Sequence, residues 1–175
     1  MDRRLIWLAI GAFATSTVAF VFAGLLPLIA GSVGVSVSRA GLLMTAFSLS
    51  YAIGTPILST LTGGIDRRRV IAGAMIVFIV ANLAAASSGS YATLMAAQIV
   101  MGAFTGLFAS TAQSTAIALS SPEKRARAVS TVLTGTTFAV AFGAPLGALI
   151  GNLVGWRFTF LFIGVVAVFC LAILW

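Results

Sequence analysis

Very few side chains in this sequence could carry out chemistry. There is no histidine, which excludes the zinc sites, the Ser-His catalysis and the haem ligation that depend on imidazole. The three carboxylates, Asp2, Asp66 and Glu123, all lie outside the apolar runs, so no pair of acids can meet inside a membrane. Cys170 is the only cysteine, so neither an intrachain disulfide nor a thiolate cluster can form. We therefore expect no enzyme, no metal site and no cofactor.

The composition indicates an integral membrane protein. Of the 175 residues, 61% are hydrophobic and 7% are charged, whereas soluble domains have about 25% charged residues. A helix that spans a bilayer takes about 20 apolar residues, so the chain has room for roughly six such helices and little else. The net charge of +7 would suggest nucleic-acid binding in a soluble protein. Here no soluble domain could carry a basic face, and we expect no nucleic-acid partner.

Six apolar runs must position whatever function the chain has. An unpaired strand cannot cross lipid, and the runs lack the alternating pattern of barrel strands, so each run is predicted to be a helix. The predicted fold is an all-α membrane protein, a bundle of six transmembrane helices that forms a single domain over residues 1–175. The predicted spans cover residues 5–30, 40–61, 70–86, 91–119, 128–153 and 158–175.

The basic residues separate by side. On one side of the membrane, the amino terminus and the links after spans 2 and 4 hold eight basic residues: Arg3, Arg4, Arg67, Arg68, Arg69, Lys124, Arg125 and Arg127. On the other side, the links after spans 1, 3 and 5 hold only Arg39 and Arg157. An excess of Lys and Arg marks cytoplasmic loops, so both termini are predicted to be cytoplasmic, in the plasma (inner) membrane. The first apolar run continues to Ala30, beyond the core of about 7–15 residues in a signal peptide, so we expect it to be retained.

Two features inside the spans are distinctive. Glycines follow a four-residue spacing with a proline in span 5, and a similar row of small residues occurs in span 4, which predicts close helix contacts. The two rows are Gly135, Gly143, Pro145, Gly147 and Gly151, and Gly102, Gly106, Ser110 and Ser114.

In addition, Gly54-Thr55-Pro56 in span 2 matches Gly143-Ala144-Pro145 in span 5, and the two spans run in opposite directions. This match favours a three-plus-three inverted repeat.

Several stretches resemble a known family. Residues 20–56 read FVFAGLLPLIAGSVGVSVSRAGLLMTAFSLSYAIGTP, residues 61–70 read LTGGIDRRRV, residues 121–128 read SPEKRARA, and residues 143–160 contain GAPLGALIG and GWRFTF. With these motifs the whole chain resembles the amino-terminal half of a major facilitator superfamily transporter, most closely the twelve-span drug/proton antiporter and sugar-efflux branch. The resemblance implies that the chain is half of a twelve-span protein.

The resemblance also implies roles for individual residues. Spans 1, 2, 4 and 5 would line the substrate cavity, and their polar or aromatic side chains are Thr17, Phe20, Tyr51, Gln98 and Gln113. For Gln98 and Gln113 an interhelical hydrogen bond is an equal alternative. Residues of the signature loop and of the link after span 4 would form a conformational switch on the cytoplasmic side: Asp66, Arg67, Arg68, Arg69 and Glu123. The glycine–proline row of span 5 is similar to a motif linked with antiporters.

The sequence departs from that family pattern at two membrane positions. Gln98 stands where relatives often have arginine, and Ala19 stands where many have glutamate. The signature loop is also short, because it lacks the usual second glycine between basic residues. Since spans 1 to 6 hold no ionisable side chain suited to proton coupling, such coupling cannot be assigned within this half.

We expect a transporter half that helps to export a small solute by alternating access. Its partners would be the lipid bilayer, the small-molecule substrate, a carboxy-terminal six-span half or a second copy, and protons if the missing half couples them. The alternative is a truncated, non-transporting membrane component or assembly partner. A channel formed by oligomers is less favoured, because the sequence shows no selectivity element or ring of charges.

Overall fold

The computed structural model describes residues 3–174, and over these residues it contains helices and turns but no strand. Six of the helical segments are long and apolar enough to cross a membrane. The predicted all-α fold with six spans is thus confirmed. The predicted last residue of span 6, Trp175, and the acidic Asp2 lie outside the described residues. The helices are α1 (Arg3–Val33), α2 (Val37–Leu61), α3 (Arg67–Ala86), α4 (Tyr91–Ala118), α5 (Arg125–Phe138), α6 (Ala144–Val154) and α7 (Trp156–Leu174).

The fifth span is not the single regular helix that the apolar run 128–153 suggests. A π-helical turn, Ala139–Gly143, joins α5 to α6, and the backbone N–H of Ala144 bonds to the carbonyl of Ala139. Pro145 follows immediately and has no N–H to donate to a carbonyl of the preceding turn. The wider turn accommodates this missing donor, and we refer below to α5, the π turn and α6 together as span 5.

Polar caps and glycines set the helix ends. Ser36, Asp66 and Ser90 cap α2, α3 and α4, each accepting a hydrogen bond from a backbone N–H in the first turn. Gly34, with φ of 68°, follows α1, and Gly155, with φ of 106°, separates α6 from α7. Such positive φ values disfavour any residue with a Cβ. Every helical span except α4 therefore begins two or three residues before its apolar run, whereas α4 begins with its run at Tyr91 and ends one residue earlier, at Ala118.

Small residues bring four helices together in two close pairs. On α4, Gly102 faces the backbone of Phe47 and Gly106 faces Thr55, so the row contacts α2. The row of span 5 contacts α1, because a Cβ added at each of its glycines would overlap a residue of that helix. The glycines and the residues they face are Gly135 and Ala9, Gly143 and Thr17, Gly147 and Val21, and Gly151 and Leu25. The predicted inverted repeat would relate α1 to α4 and α2 to span 5. Under that prediction the two glycine-lined pairs are counterparts of each other.

Burial divides the helices into a core and a flank. Over their most apolar stretches α1, α3 and α4 are 50–56% buried, whereas α2 is 11% and span 5 is 22% buried. The core is formed by large side chains such as Phe22, Phe78, Phe108 and Phe160, which are at most 2% exposed. The two least buried spans leave wide apolar faces, which lipid or another protein must cover.

Candidate functional site

Within the described residues three buried side chains have a polar atom without a hydrogen-bond partner, at Asn82 Oδ1, Gln98 Nε2 and Thr105 Oγ1, and of these Gln98 lines the cavity described below. Gln98 is 1% exposed on α4, and within residues 3–174 its amide Nε2 has no hydrogen-bond partner. An unpaired buried amide donor costs about 1–3 kcal/mol, so such groups in proteins generally serve a purpose. Of the two alternatives drawn from the sequence, an interhelical hydrogen bond is not formed by Nε2.

A small cavity lies beside this amide, between α1, α2 and α4. Its volume is about 30 Å³, which is enough for one water molecule. Apart from Gln98, the lining is apolar or weakly polar: Val18, Ala19, Phe22, Met44, Phe47 and Ser48. The arrangement can present one hydrogen-bond donor to a neutral acceptor in an otherwise apolar environment.

The other four residues predicted for the cavity lie elsewhere. Phe20 and Tyr51 are 41% and 37% exposed on α1 and α2. Gln113 is half-buried on α4, 15 residues from Gln98, which places it about 22 Å away along the helix axis. These three side chains do not line the cavity beside Gln98.

Thr17 has a packing role in this structure. Its side chain is 2% exposed and its hydroxyl donates to the carbonyl of Phe13 at 2.7 Å, within its own helix. A Cβ added at Gly143 would come within 2.5 Å of this hydroxyl, so Thr17 fills the notch that the glycine provides. Its polarity is therefore satisfied locally, and the side chain faces span 5.

The predicted switch residues Asp66 and Arg67 hold the link between α2 and α3. The carboxylate of Asp66 accepts hydrogen bonds from the backbone N–H groups of Arg68 at 3.0 Å and Arg69 at 3.3 Å. Arg67 donates from Nη1 to the carbonyl of Ser114, also at 3.0 Å, which ties the start of α3 to the last turns of α4. The structure thus gives Arg67 a partner on α4.

Glu123, the other acidic residue of the predicted switch, is exposed in the 3-10 turn between α4 and α5. Its backbone N–H, and then the hydroxyl of Ser121, hold the pKa of this carboxyl below its usual value. The side chain is therefore a stable anion among the neighbouring basic residues of this link.

The glycine–proline row of span 5 is supported by hydrogen bonds to both neighbouring helices. The hydroxyls of Ser16 on α1 and Thr136 on α5 are 3.2 Å apart. Thr159 on α7 is fully buried and donates to the carbonyl of Gly147 at 2.9 Å. The row therefore packs closely against α1 and α7, and these hydrogen bonds support the contact. Pro145 lies at the start of α6, beside the π turn.

Sequence reasoning missed the interactions at the end opposite to the basic links. The ring of Tyr91 lies 5.2 Å from the guanidinium of Arg39 and its hydroxyl donates to the Arg39 carbonyl at 2.8 Å. Arg157 lies over the ring of Trp156 and donates to the carbonyl of Ser88 at 3.0 Å. A sequence signal existed only for Arg157, which directly follows Trp156 at the start of α7, whereas Tyr91 begins α4 and is 52 residues from Arg39.

Comparison with known proteins identifies relatives over most of the chain. The family model described as Major Facilitator Superfamily matches residues 8–175. The chain is 38% identical over 159 residues to the uncharacterized MFS-type transporter YtbD of Bacillus subtilis, and 37% identical over 171 residues to a chloramphenicol resistance protein of Streptomyces lividans. It is 34% identical over 161 residues to the inner membrane transport protein YdhP of Escherichia coli.

These matches cover 91%, 98% and 92% of this chain but 40%, 43% and 41% of the relatives. The chain thus spans about two-fifths of the length of the curated relatives it matches.

Solved structures share the fold. A bacterial homologue of the human lysosomal transporter Spinster, in an inward-facing and unoccupied conformation, superposes with a TM-score of 0.86 at 17% identity. The proton:xylose symporter XylE, bound to 6-bromo-6-deoxy-D-glucose, superposes with a TM-score of 0.81, also at 17% identity. The superpositions cover 99% and 98% of this chain and 42% and 43% of those chains.

Proposed function

Because the chain belongs to the major facilitator superfamily, a family of multi-pass membrane transporters, we propose that it is the amino-terminal half of a secondary transporter that exports a small molecule by alternating access. The observation that carries the proposal is the buried, unpartnered amide of Gln98 beside a cavity in an otherwise apolar region. The name of the Streptomyces lividans relative, a chloramphenicol resistance protein, supports export as the direction of transport.

The exposed flank supports a second bundle. Large apolar side chains stand out along α2 and span 5 and are 47–73% exposed, among them Leu49, Ile53, Ile57, Leu61, Phe142, Leu146 and Leu153. These are the two least buried spans. A second six-helix bundle that packs against them would cover this face, and the substrate would lie between the bundles near the membrane midplane.

The side chains around Gln98 favour a neutral or amphipathic solute, which would have to widen this cavity because its present volume of about 30 Å³ holds one water molecule. Gln98 offers an amide donor, and its neighbours Phe22 and Phe47 offer apolar and aromatic contact. Phe20 and Tyr51 are exposed on α1 and α2, where they are accessible to a molecule bound between two bundles. An anionic substrate would leave a charge in an apolar cavity without a cationic partner, which is costly.

The basic links complete the proposal. Asp66 and Arg67 fix the link between α2 and α3 onto α3 and α4, so the ends of these helices move as one body when the transporter changes state. This end of the bundle is cytoplasmic, by the excess of basic residues there. Protons, where transport is coupled to them, are carried by the other half.

A chimera tests the proposal. The chain is joined to the remaining part of the Streptomyces lividans chloramphenicol resistance protein and expressed in a bacterial strain that lacks its main efflux pumps. We expect the chimera to lower the accumulation of neutral antibiotics and the chain alone to leave it unchanged. Gln98→Ala should abolish most of this efflux.

The matched control is Asn152→Ala, since Asn152 is also an amide but is exposed on α6 and donates to the carbonyl of Ala148 in its own helix at 2.7 Å. Efflux that is equally sensitive to both substitutions would contradict the site at Gln98. A well-expressed chimera that exports none of the solutes would favour the assembly-partner alternative.

A further inference from the structure

A second cavity opens at the basic end of the bundle. Its volume is about 410 Å³, which is within the range of cavities that hold small ligands. It lies where the start of α1 meets the link between α4 and α5 and the first two turns of α5. The lining consists of two cations, three hydroxyl groups and three apolar side chains: Leu5, Leu119, Ser120, Ser121, Lys124, Arg127, Ala128 and Thr131.

The two cations of this lining are available to bind an anion. Within residues 3–174, neither the ammonium group of Lys124 nor the guanidinium group of Arg127 has an ion-pair, hydrogen-bond or ring partner. Arg67, at the same end of the bundle, differs because it donates to the carbonyl of Ser114. Lys124 and Arg127 are three positions apart where the 3-10 turn continues into α5, and residues at this spacing are neighbours on one side of a helix.

No carboxylate of the described residues neutralises these cations. Asp66 caps α3 on a different link, and Glu123 is not part of the cavity lining. The carboxylate of Glu123 is instead held by its own backbone N–H and by the hydroxyl of Ser121. Guanidinium and ammonium groups bind phosphate oxygens with charge-assisted hydrogen bonds. The two cations and the hydroxyl of Ser120 therefore suit a phosphate group.

The apolar part of the lining indicates that the phosphate belongs to a lipid. Leu5 and Ala128 are buried at the wall of the cavity, and Leu119 is 38% exposed. Leu5 lies in the first turn of α1, two residues from the half-buried Trp7, and tryptophan is enriched at the depth of lipid headgroups. A soluble anion would leave Leu119 in contact with water, whereas an acyl chain would cover it.

We propose that this cavity binds an anionic phospholipid, with the phosphate at Lys124 and Arg127 and the first part of an acyl chain against Leu5 and Leu119. Clusters of Lys and Arg immediately cytoplasmic of a transmembrane helix are suited to such lipids. The assignment to the cytoplasmic leaflet rests on the proposed orientation, whereas the binding chemistry depends neither on it nor on transport. The bound lipid joins the start of α1 to the link between α4 and α5.

Lipid titration of the purified chain tests this proposal without a transport assay. The chain in detergent micelles is titrated with phosphatidylglycerol or with phosphatidylcholine of the same acyl chains, and bound lipid is counted by native mass spectrometry. Since two cations face the headgroup, we expect phosphatidylglycerol to bind about thirtyfold more tightly. Equal affinity for the two lipids would overturn the proposal.

Charge variants locate the site. The double substitution Lys124→Gln and Arg127→Gln should remove the preference for phosphatidylglycerol. The matched control, Arg69→Gln with Arg125→Gln, removes the same charge from two exposed residues of this end that lie outside the cavity lining, and it should retain the preference. A loss as large in the control as in the cavity variant would mean that binding follows net charge, and would overturn the site.

A steric variant and a soluble competitor separate a lipid from a free anion. Ser120→Trp fills the cavity and leaves both cations in place, so it should weaken phosphatidylglycerol binding. Glycerol phosphate at the same concentration should not displace the lipid. Unchanged lipid binding in Ser120→Trp, or displacement by glycerol phosphate, would overturn the lipid assignment. The buried thiol of Cys170 reports whether each variant is folded, because it reacts with thiol dyes only after unfolding.

Discussion

A methyl group added at Gly102 tests whether the α2–α4 contact holds the bundle together. A Cβ at this position would overlap the carbonyl oxygen of Phe47, and its three nearest atoms all belong to the backbone of α2. Backbone cannot rotate away as a flexible side chain can, so Gly102→Ala must push the two helices apart. Overpacking of this kind costs about 1–3 kcal/mol.

The matched control is Gly73→Ala on α3. A Cβ at Gly73 would meet nothing within 4 Å, and replacing glycine by alanine inside a helix gains about 0.5–1 kcal/mol. The two variants add the same methyl group to helical positions, so the helix-propensity gain cancels and their free energies of unfolding should differ by the overpacking cost, roughly 1–3 kcal/mol. Since about 1 kcal/mol shifts the midpoint by about 2–4 °C in a protein of this size, Gly102→Ala should melt roughly 2–12 °C below Gly73→Ala.

The chain carries its own reporter for this measurement. Cys170, its single cysteine, is 1% exposed on α7. A dye that fluoresces on reaction with thiols therefore follows unfolding in detergent during a thermal ramp. If Gly102→Ala melts at or above the temperature of Gly73→Ala, the α2–α4 contact is not as close as the structure shows and the reasoning fails.

Three further predictions concern single positions. Gln98→Leu should raise the melting temperature, because it removes a buried amide donor that costs about 1–3 kcal/mol, and should abolish efflux by the chimera; lower stability or retained efflux would contradict the site. Asp66→Ala should destabilise the chain by about 0.5–2 kcal/mol by loss of the α3 cap, whereas Asp66→Asn should retain stability, because asparagine caps equally well; equal melting points for the two variants would exclude the cap. Pro145→Ala restores a backbone N–H and should close the π turn, which hydrogen exchange would detect as slower exchange of the Ala141–Gly143 amides; unchanged exchange there would show that the proline does not maintain the turn.

Hydropathy predicted the six helices because length and apolarity suffice to identify a span in lipid. The same pattern could not set the helix ends, which depend on single capping groups such as Ser36 and Asp66. It also could not reveal the π turn of span 5, because Ala139–Gly143 is as apolar as its flanks. The glycine spacing predicted close contacts, but only the packing showed that the α4 row faces α2.

Polarity was an incomplete guide to the site for a physical reason. Thr17 and Gln98 are both polar side chains in apolar spans, and both are at most 2% exposed. A threonine hydroxyl reaches the carbonyl one turn back, as Thr17 does to Phe13, so its polarity is satisfied within the helix. The amide of Gln98 has two donor hydrogens on a longer side chain, and Nε2 finds no acceptor within the described residues. Residue type alone does not separate the two cases, however, because the hydroxyl of Thr105, which is also buried on α4, has no partner within the described residues either.

The contacts at the two ends determine where this bundle can move. At the basic end Arg67 ties α3 to α4, and at the opposite end Tyr91 ties α4 to the start of α2 while Arg157 ties α7 to the end of α3. The glycine rows keep the paired helices in close contact between these ties. The exception is the π turn of span 5, where the regular hydrogen bonding is interrupted beside Pro145 on the exposed flank. If the chain acts in a transporter as proposed, we expect the bundle to move as one body between transport states and to bend mainly at residues 139–143, beside Pro145.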